Sequence, residues 1–82
     1  MQSKVNSNLD ARRFPEIFKS LTDTERQELC AEIAAKTGAS RMAINYWGRG
    51  LRTPMLLSSK RDIANAVKKV LGLNVSTMTL FK

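Results

Sequence analysis

The 82-residue sequence contains no histidine and a single cysteine, Cys30. Without histidine it lacks the side chain that ordinarily titrates near neutrality, the commonest general acid–base and metal ligand. A lone cysteine closes no intrachain disulfide and builds no multi-thiolate zinc site. Carboxylates are scarce as well, since Asp62 is the only acid after Glu32. An enzyme, a bound metal, a cofactor and a small-molecule ligand are therefore not expected. No apolar run approaches the roughly 18–20 residues that cross a bilayer. The opening Met1-Gln-Ser-Lys-Val-Asn-Ser-Asn has no signal-peptide hydrophobic segment. The expected setting is cytoplasmic and reducing, with no membrane contact. Aromatic residues make up 6% of the chain, too few for the stacking platforms of single-stranded RNA binders. Strand-like alternation and internal repeats are absent.

The shortage of acids is confined to one part of the chain. Residues 1–32 carry five bases (Lys4, Arg12, Arg13, Lys19, Arg26) and six acids, whereas residues 33–82 carry nine bases and Asp62 alone. The two parts thus hold about −1 and +8 of a net charge of +7. Such asymmetry points to a polyanionic partner, because clustered cations release the counterions condensed on phosphate backbones.

A hydrophobic content of 43% suits one small helical domain. Residues 1–9 are polar and aperiodic and read as a flexible tail, residues 10–82 as the domain. Phe14, Ile17, Phe18 and Leu21 recur at i, i+3, i+4 and i+7, the stripe of an amphipathic helix. Pro15 fits its first turn, and either Asp10 or Arg13 marks its start. Thr22-Asp-Thr-Glu25 has capping-box spacing. The helix it opens buries Leu29, Cys30, Ile33 and Ala34, pairs Glu32 with Lys36, and stops at Gly38, where a left-handed residue is required. Ser40 caps a short helix ending at Gly50, and Leu51-Arg52-Thr53-Pro54 is a loop. Ser58 or Ser59 opens the next helix, with Ile63, Ala64, Val67, Val70 and Leu71 inward and Gly72 closing it. Ser76 caps a last turn whose Met78, Leu80 and Phe81 either cover the core or meet a partner chain. The expected fold is all-α, a compact bundle of four to five short helices.

The stretch from Ala34 to Gly50 organises the rest. At about 100° per residue, Ala43, Ile44 and Trp47 share one side of its second helix, while Arg41, Met42, Asn45, Tyr46 and Arg49 share the other. Small Ala34 lets the second helix cross closely, Gly38 turns the chain, and Ile44 and Trp47 anchor the helix with its opposite face held outward. This is a helix-turn-helix pattern, whose second helix fits the major groove of double-stranded DNA. Asn45 carries the amide that pairs with adenine, and Arg41 and Arg49 the fork that pairs with guanine. Tyr46 is placed to donate to a phosphate, to pack on a thymine methyl, or to have no role. Met42 either touches bases or tucks beside Ile44. Trp47 reads as an anchor rather than a stacking residue. Lys60 and Arg61 sit at a helix start, where the dipole disfavours cations unless phosphate lies nearby.

The segment from Leu29 to Pro54, with Trp47, Gly50 and Pro54 in that order, resembles the Cro/C1-type, lambda-repressor-like helix-turn-helix family. The resemblance continues through Asp62-Ile-Ala, Val70-Leu-Gly and Val75-Ser to Leu80-Phe81, and so covers residues 26–81. It implies a homodimer on paired half-sites, with residues 41–49 as recognition helix. Ser40, Arg41, Met42, Asn45 and Tyr46 would then lie at the DNA, and Arg49 and Arg52 near phosphates. Three features depart from the family's pattern. Thr37 stands where a long apolar residue often precedes the turn glycine, which is expected to loosen that corner. Gly48 stands where an acid often follows the tryptophan, which removes an ion-pair partner for a nearby base. The preceding helix starts upstream, at Asp23, which bears on the usual phosphate contact from its N-terminus. The expectation is a small repressor-like transcriptional regulator that binds double-stranded DNA sequence-specifically through helix 41–49. The alternative is a protein-interaction or accessory module, antitoxin-like or a phage factor, on the same scaffold.

Overall fold

A computed structural model describes residues 9–81. The tail expected at residues 1–9 lies, apart from Leu9, outside the described residues. Among the described residues there are five helices and no strand: α1 (Phe14–Ser20), α2 (Asp23–Thr37), α3 (Arg41–Gly48), α4 (Leu57–Leu71) and α5 (Thr77–Leu80). The fold is all-α, as expected. No helix among them is long and apolar enough to cross a membrane.

Most helix ends have a local cause. Arg13, not Asp10, directly precedes α1, and its N–H donates to Glu16 Oε1 at 2.8 Å. Asp10 instead donates its backbone N–H to Asn74 O at 2.7 Å, tying the start of the domain to the segment before α5. Thr22 and Glu25 form the reciprocal box: Glu25 N–H donates to Thr22 Oγ1 at 3.2 Å, and Thr22 N–H to Glu25 Oε1 at 2.9 Å. Gly38 closes α2 at φ 74°, in the left-handed region that glycine enters without strain. Ser40 then accepts from Ala43 N–H, and Ser76 from Thr79 N–H, both at 3.1 Å.

Two expectations need correction. Thr37 does not loosen the corner before Gly38. Its Oγ1 donates to Ile33 O at 2.8 Å and accepts from Ala39 N–H at 3.1 Å, so the hydroxyl clamps a turn that an apolar side chain would only fill. Helix α4 opens at Leu57 behind Leu56, without a side-chain cap, and Ser58 and Ser59 fall inside its first turn. Its register follows burial rather than capping. Ile63, Ala64, Ala66 and Val67 are buried, while Val70 and Leu71 are half-exposed. Ala66, too small to stand out in the sequence, lies on the inward line.

Helix α2 packs mainly on α4, α3 lies against α1 and α2, and α5 closes on α4. Leu29 and Ile33 from α2, Ile44 from α3 and Ile63 from α4 are all fully buried. Each such side chain contributes about 1.5–3 kcal/mol of transfer free energy. Among the described residues no polar or charged residue is buried, so the helices are oriented by the fit of apolar shapes. Leu80 is buried and Phe81 sets its ring 5.7 Å from that of Phe14, whereas Met78 faces outward. The last turn therefore covers the core with two of its three apolar side chains. At the surface, Glu32 pairs with Lys36 at 3.5 Å and also with Lys69 of α4 at 3.3 Å.

Candidate functional site

The seating of α3 decides what the site can be. Its inward line consists of Ile44 and Gly48, one turn apart and both buried. Ala43 and Trp47, expected beside Ile44, are half-buried on the flank, with Trp47 packed against the core. The cause is at Gly48. A Cβ there would stand 2.4 Å from Phe18 Cδ2, so the ring from α1 fills the space a side chain would need. This glycine is a close-approach position between α1 and α3, whatever an acid there would have paired with. Gly50, at φ 77°, then turns the chain away beside Pro15.

Because α3 sits between α1 and the loop that follows, its outward residues divide into two groups. Asn45 and Arg49 face a groove of about 620 Å³ shared with Pro15, Phe18, Lys19 and Arg26. Ser40, Met42, Tyr46 and Arg52 face a second groove, of about 430 Å³, bounded by Pro54 and Met55. Arg41 is exposed at the front of the helix and lies close enough to α2 to act on Cys30. Burial holds the Cys30 thiol above its ordinary range, and the guanidiniums of Arg41 and Arg26 pull the other way. Lys60 and Arg61, in the first half of α4, line neither groove.

Two cations emerge that the sequence does not single out. Lys19 and Arg26 belong to the part of the chain where acids outnumber bases, so averaging hides them, yet folding brings both beside Asn45 and Arg49. Arg26 is held in place: its guanidinium lies 5.4 Å from the Phe18 ring centroid, Nη1 is 3.2 Å from Asp23, and Nη2 donates to Leu21 O at 3.1 Å. The position of Arg26 at helical spacing from Leu29, Cys30 and Ile33 of α2 is the only sign of this in the sequence.

The loop after α3 is also pinned. Leu51 N–H and Arg52 N–H both donate to Tyr46 O, at 3.0 and 3.3 Å, and the Arg52 guanidinium lies 5.8 Å from the Tyr46 ring centroid. Pro54 is buried. Between and beyond these anchors Leu51, Met55, Leu56 and Leu57 are each more than half exposed, Met55 at 95%. From Ile33 to Arg61 the chain has no acid, so α3 and its loop present no carboxylate. The one acid on the larger groove, Glu16, is engaged by the Arg13 N–H.

Among the described residues no three His, Cys, Asp or Glu side chains gather as a metal site requires. What the arrangement offers is a short helix with amide, guanidinium and thioether side chains, set between two grooves rimmed by cations. Such a surface can hydrogen-bond planar polar edges and neutralise anions beside them. Compared with models of protein families, with curated proteins and with solved structures, the chain matches none.

Proposed function

We propose that this chain is a sequence-specific double-stranded DNA-binding protein, a small repressor-like transcriptional regulator that lays α3 in the major groove. The observation that carries the reading is the division of labour within α3: Ile44 and Gly48 seat it, Arg41, Met42 and the adjoining Arg49 are exposed, and half-buried Asn45 and Tyr46 face the grooves on either side, in a stretch without an acid. A major groove about 12 Å wide admits a helix of this kind. Asn45 is suited to adenine, Arg41 and Arg49 to guanine or phosphate, and Ser40, Met42 and Tyr46 to the adjoining bases. Arg52, Lys60 and Arg61 would neutralise phosphates, and Lys19 and Arg26 join them on the α1 side.

The length of α3 supports a dimer. Eight residues at about 1.5 Å each span about 12 Å, or three to four base pairs at about 3.4 Å per step. So short a site recurs far too often among the roughly 10⁶ or more competing sites of a genome. Two copies on paired half-sites supply the missing specificity. Repression then needs nothing beyond occupancy of an operator in the cytoplasm.

Selection from a randomised duplex pool at moderate salt is the direct test. Enrichment of a paired motif is expected, and failure to prefer any duplex over random DNA would end the reading. Arg41→Ala and Asn45→Ala should each cost about 1–3 kcal/mol at particular base pairs. Lys60→Ala should weaken all sequences alike and reduce the salt slope by about 1. A monomer mass on the selected duplex, by ultracentrifugation, would remove the dimer. A second reading, a protein-interaction module, is favoured by the exposed Leu51, Met55, Leu56 and Leu57. Duplex affinity indifferent to every outward residue of α3 would support it.

A further inference from the structure

We infer that the groove between α3 and the following loop is a methyl-reading site, in which Met42, Tyr46 and Met55 receive the C5-methyl of a thymine in the major groove. This rests on the double-stranded DNA reading and names the base feature that one side of the site selects.

The argument begins with two exposed thioethers. Met42 is 65% and Met55 95% exposed, and although they come from different elements they line the same groove. Neither stabilises the core. Both stand where long apolar side chains lose hydrophobic free energy until something apolar covers them. The groove is built before any ligand arrives. Two loop N–H groups donate to Tyr46 O, Pro54 is buried, and the Arg52 guanidinium lies near the Tyr46 ring, so the loop that carries Met55 is tied to the helix that carries Met42.

The chemistry of the lining narrows the occupant. Ser40 Oγ accepts from Ala43 N–H and Tyr46 O takes the two loop N–H groups, while the Met42 and Met55 side chains and the Pro54 ring line the groove beside the Tyr46 and Thr53 hydroxyls. Apolar contact is what the two methionines have to give. Among the base features displayed in the major groove, only the thymine methyl is apolar. Charge complementarity gives the rest of the occupant, since Arg52 is on the rim and no lining residue carries a carboxylate. A polyanion that presents methyl groups beside its phosphates is DNA containing thymine. Methionine suits the role because its flexible, polarisable chain adapts to a small apolar target.

Replacing single thymines by deoxyuridine in the selected duplex deletes the methyl and leaves base pairing and phosphates intact. Affinity is measured by fluorescence anisotropy at one fixed salt concentration. At one or two thymines per half-site the wild-type protein should lose about fourfold in Kd, the worth of burying one methyl-sized group. Met42→Ala and Met55→Ala should weaken binding to the thymine duplex and bring the thymine-to-uracil ratio close to one. Gln27→Ala, on the exposed side of α2, should keep the wild-type ratio. Circular dichroism checks that each variant is folded. A duplex bound specifically yet indifferent to uracil at every position overturns this inference while the DNA reading stands. So does a selected site without thymine, or full discrimination retained in both methionine variants. Loss of self-association or of a protein partner in Met55→Ala, with discrimination unchanged, assigns the loop to protein and equally overturns it. A protein that prefers no duplex overturns both readings together.

Discussion

Replacing Gly48 by alanine tests whether α3 is seated by its close approach to α1. On helix propensity alone the change should stabilise, by up to about 1 kcal/mol, because glycine is the weaker helix former. The structure reverses the sign. The added Cβ would meet Phe18 Cδ2 at 2.4 Å and Cε2 and Cγ at 2.6 Å. The ring has little room to retreat: Phe18 is 5% exposed, its centroid is 5.7 Å from that of Phe14, and Phe14 is itself fully buried against Phe81. Overpacking of this kind costs about 1–3 kcal/mol. The propensity gain is small at the last residue of a helix, so the net loss should be about 1–2 kcal/mol. In a domain this small each kcal/mol moves Tm by about 4–8 °C, which predicts a drop of about 5–15 °C. Urea and thermal unfolding followed by far-UV circular dichroism measure it. Phe18→Leu also destabilises alone, but combined with Gly48→Ala it should relieve part of the clash, giving a coupling of about 1 kcal/mol. A Gly48→Ala protein that melts at or above wild type, or strict additivity in the double variant, would refute the seating argument.

Further outcomes follow from features of the core and its margins. Thr37→Val removes the hydroxyl that joins Ile33 O to Ala39 N–H and should cost about 1 kcal/mol in denaturant unfolding; an unchanged midpoint would mean the clamp contributes nothing. The Cys30 thiol should react with a disulfide reagent in mildly alkaline buffer only as fast as the protein opens, and rapid native labelling would contradict its burial. Because burial raises that thiol's pKa, the folded chain keeps a proton that the unfolded chain releases, so stability should decline as pH rises through the alkaline range. At the other end of the scale, hydrogen bonds from the Arg12 side chain and from its backbone N–H hold the Asp10 carboxyl below its ordinary range. The stabilisation this brings is present at neutral pH and is lost as pH falls through the depressed pKa. Arg12→Ala removes the side-chain hydrogen bonds but keeps the backbone N–H, so it should raise the Asp10 midpoint part of the way toward the usual carboxylate range in an NMR titration, and an unmoved midpoint would rule out the side-chain pairing.

What the sequence discloses and what it hides divide along a physical line. Thr22 with Glu25, Gly38, Ser40, Gly72 and Ser76 are legible because capping and left-handed turns depend on residues within a few positions of one another. The stripe of Phe14, Ile17 and Phe18 is legible for the same reason. The role of Gly48 is not, since the ring that requires its missing side chain is thirty residues away in the chain. The outward face of α3 reads as one surface on a helical wheel, but its neighbours on either side split it in two, and only folding supplies those neighbours. Lys19 and Arg26 are hidden by charge averaging, and Ala66 by its size. The opening of α4 is misread because two serines offer good caps at a place where burial of Ile63 and Val67 decides the register.

The core without a buried polar residue has a consequence for how such a protein can change. The residues that keep α3 in place are Ser40 at its cap, Ile44 and Gly48 beneath it, and Gly38 and Gly50 at its two turns. Met42, Asn45 and Arg49 make no side-chain hydrogen bond to the rest of the described chain. At positions 42, 45 and 49, therefore, outward chemistry is separate from the residues that seat the helix, whereas Ser40 serves both as cap and as part of the outward surface. Substitutions at 42, 45 and 49 can be exchanged as a cassette, each new set inheriting a scaffold that does not need to be re-solved.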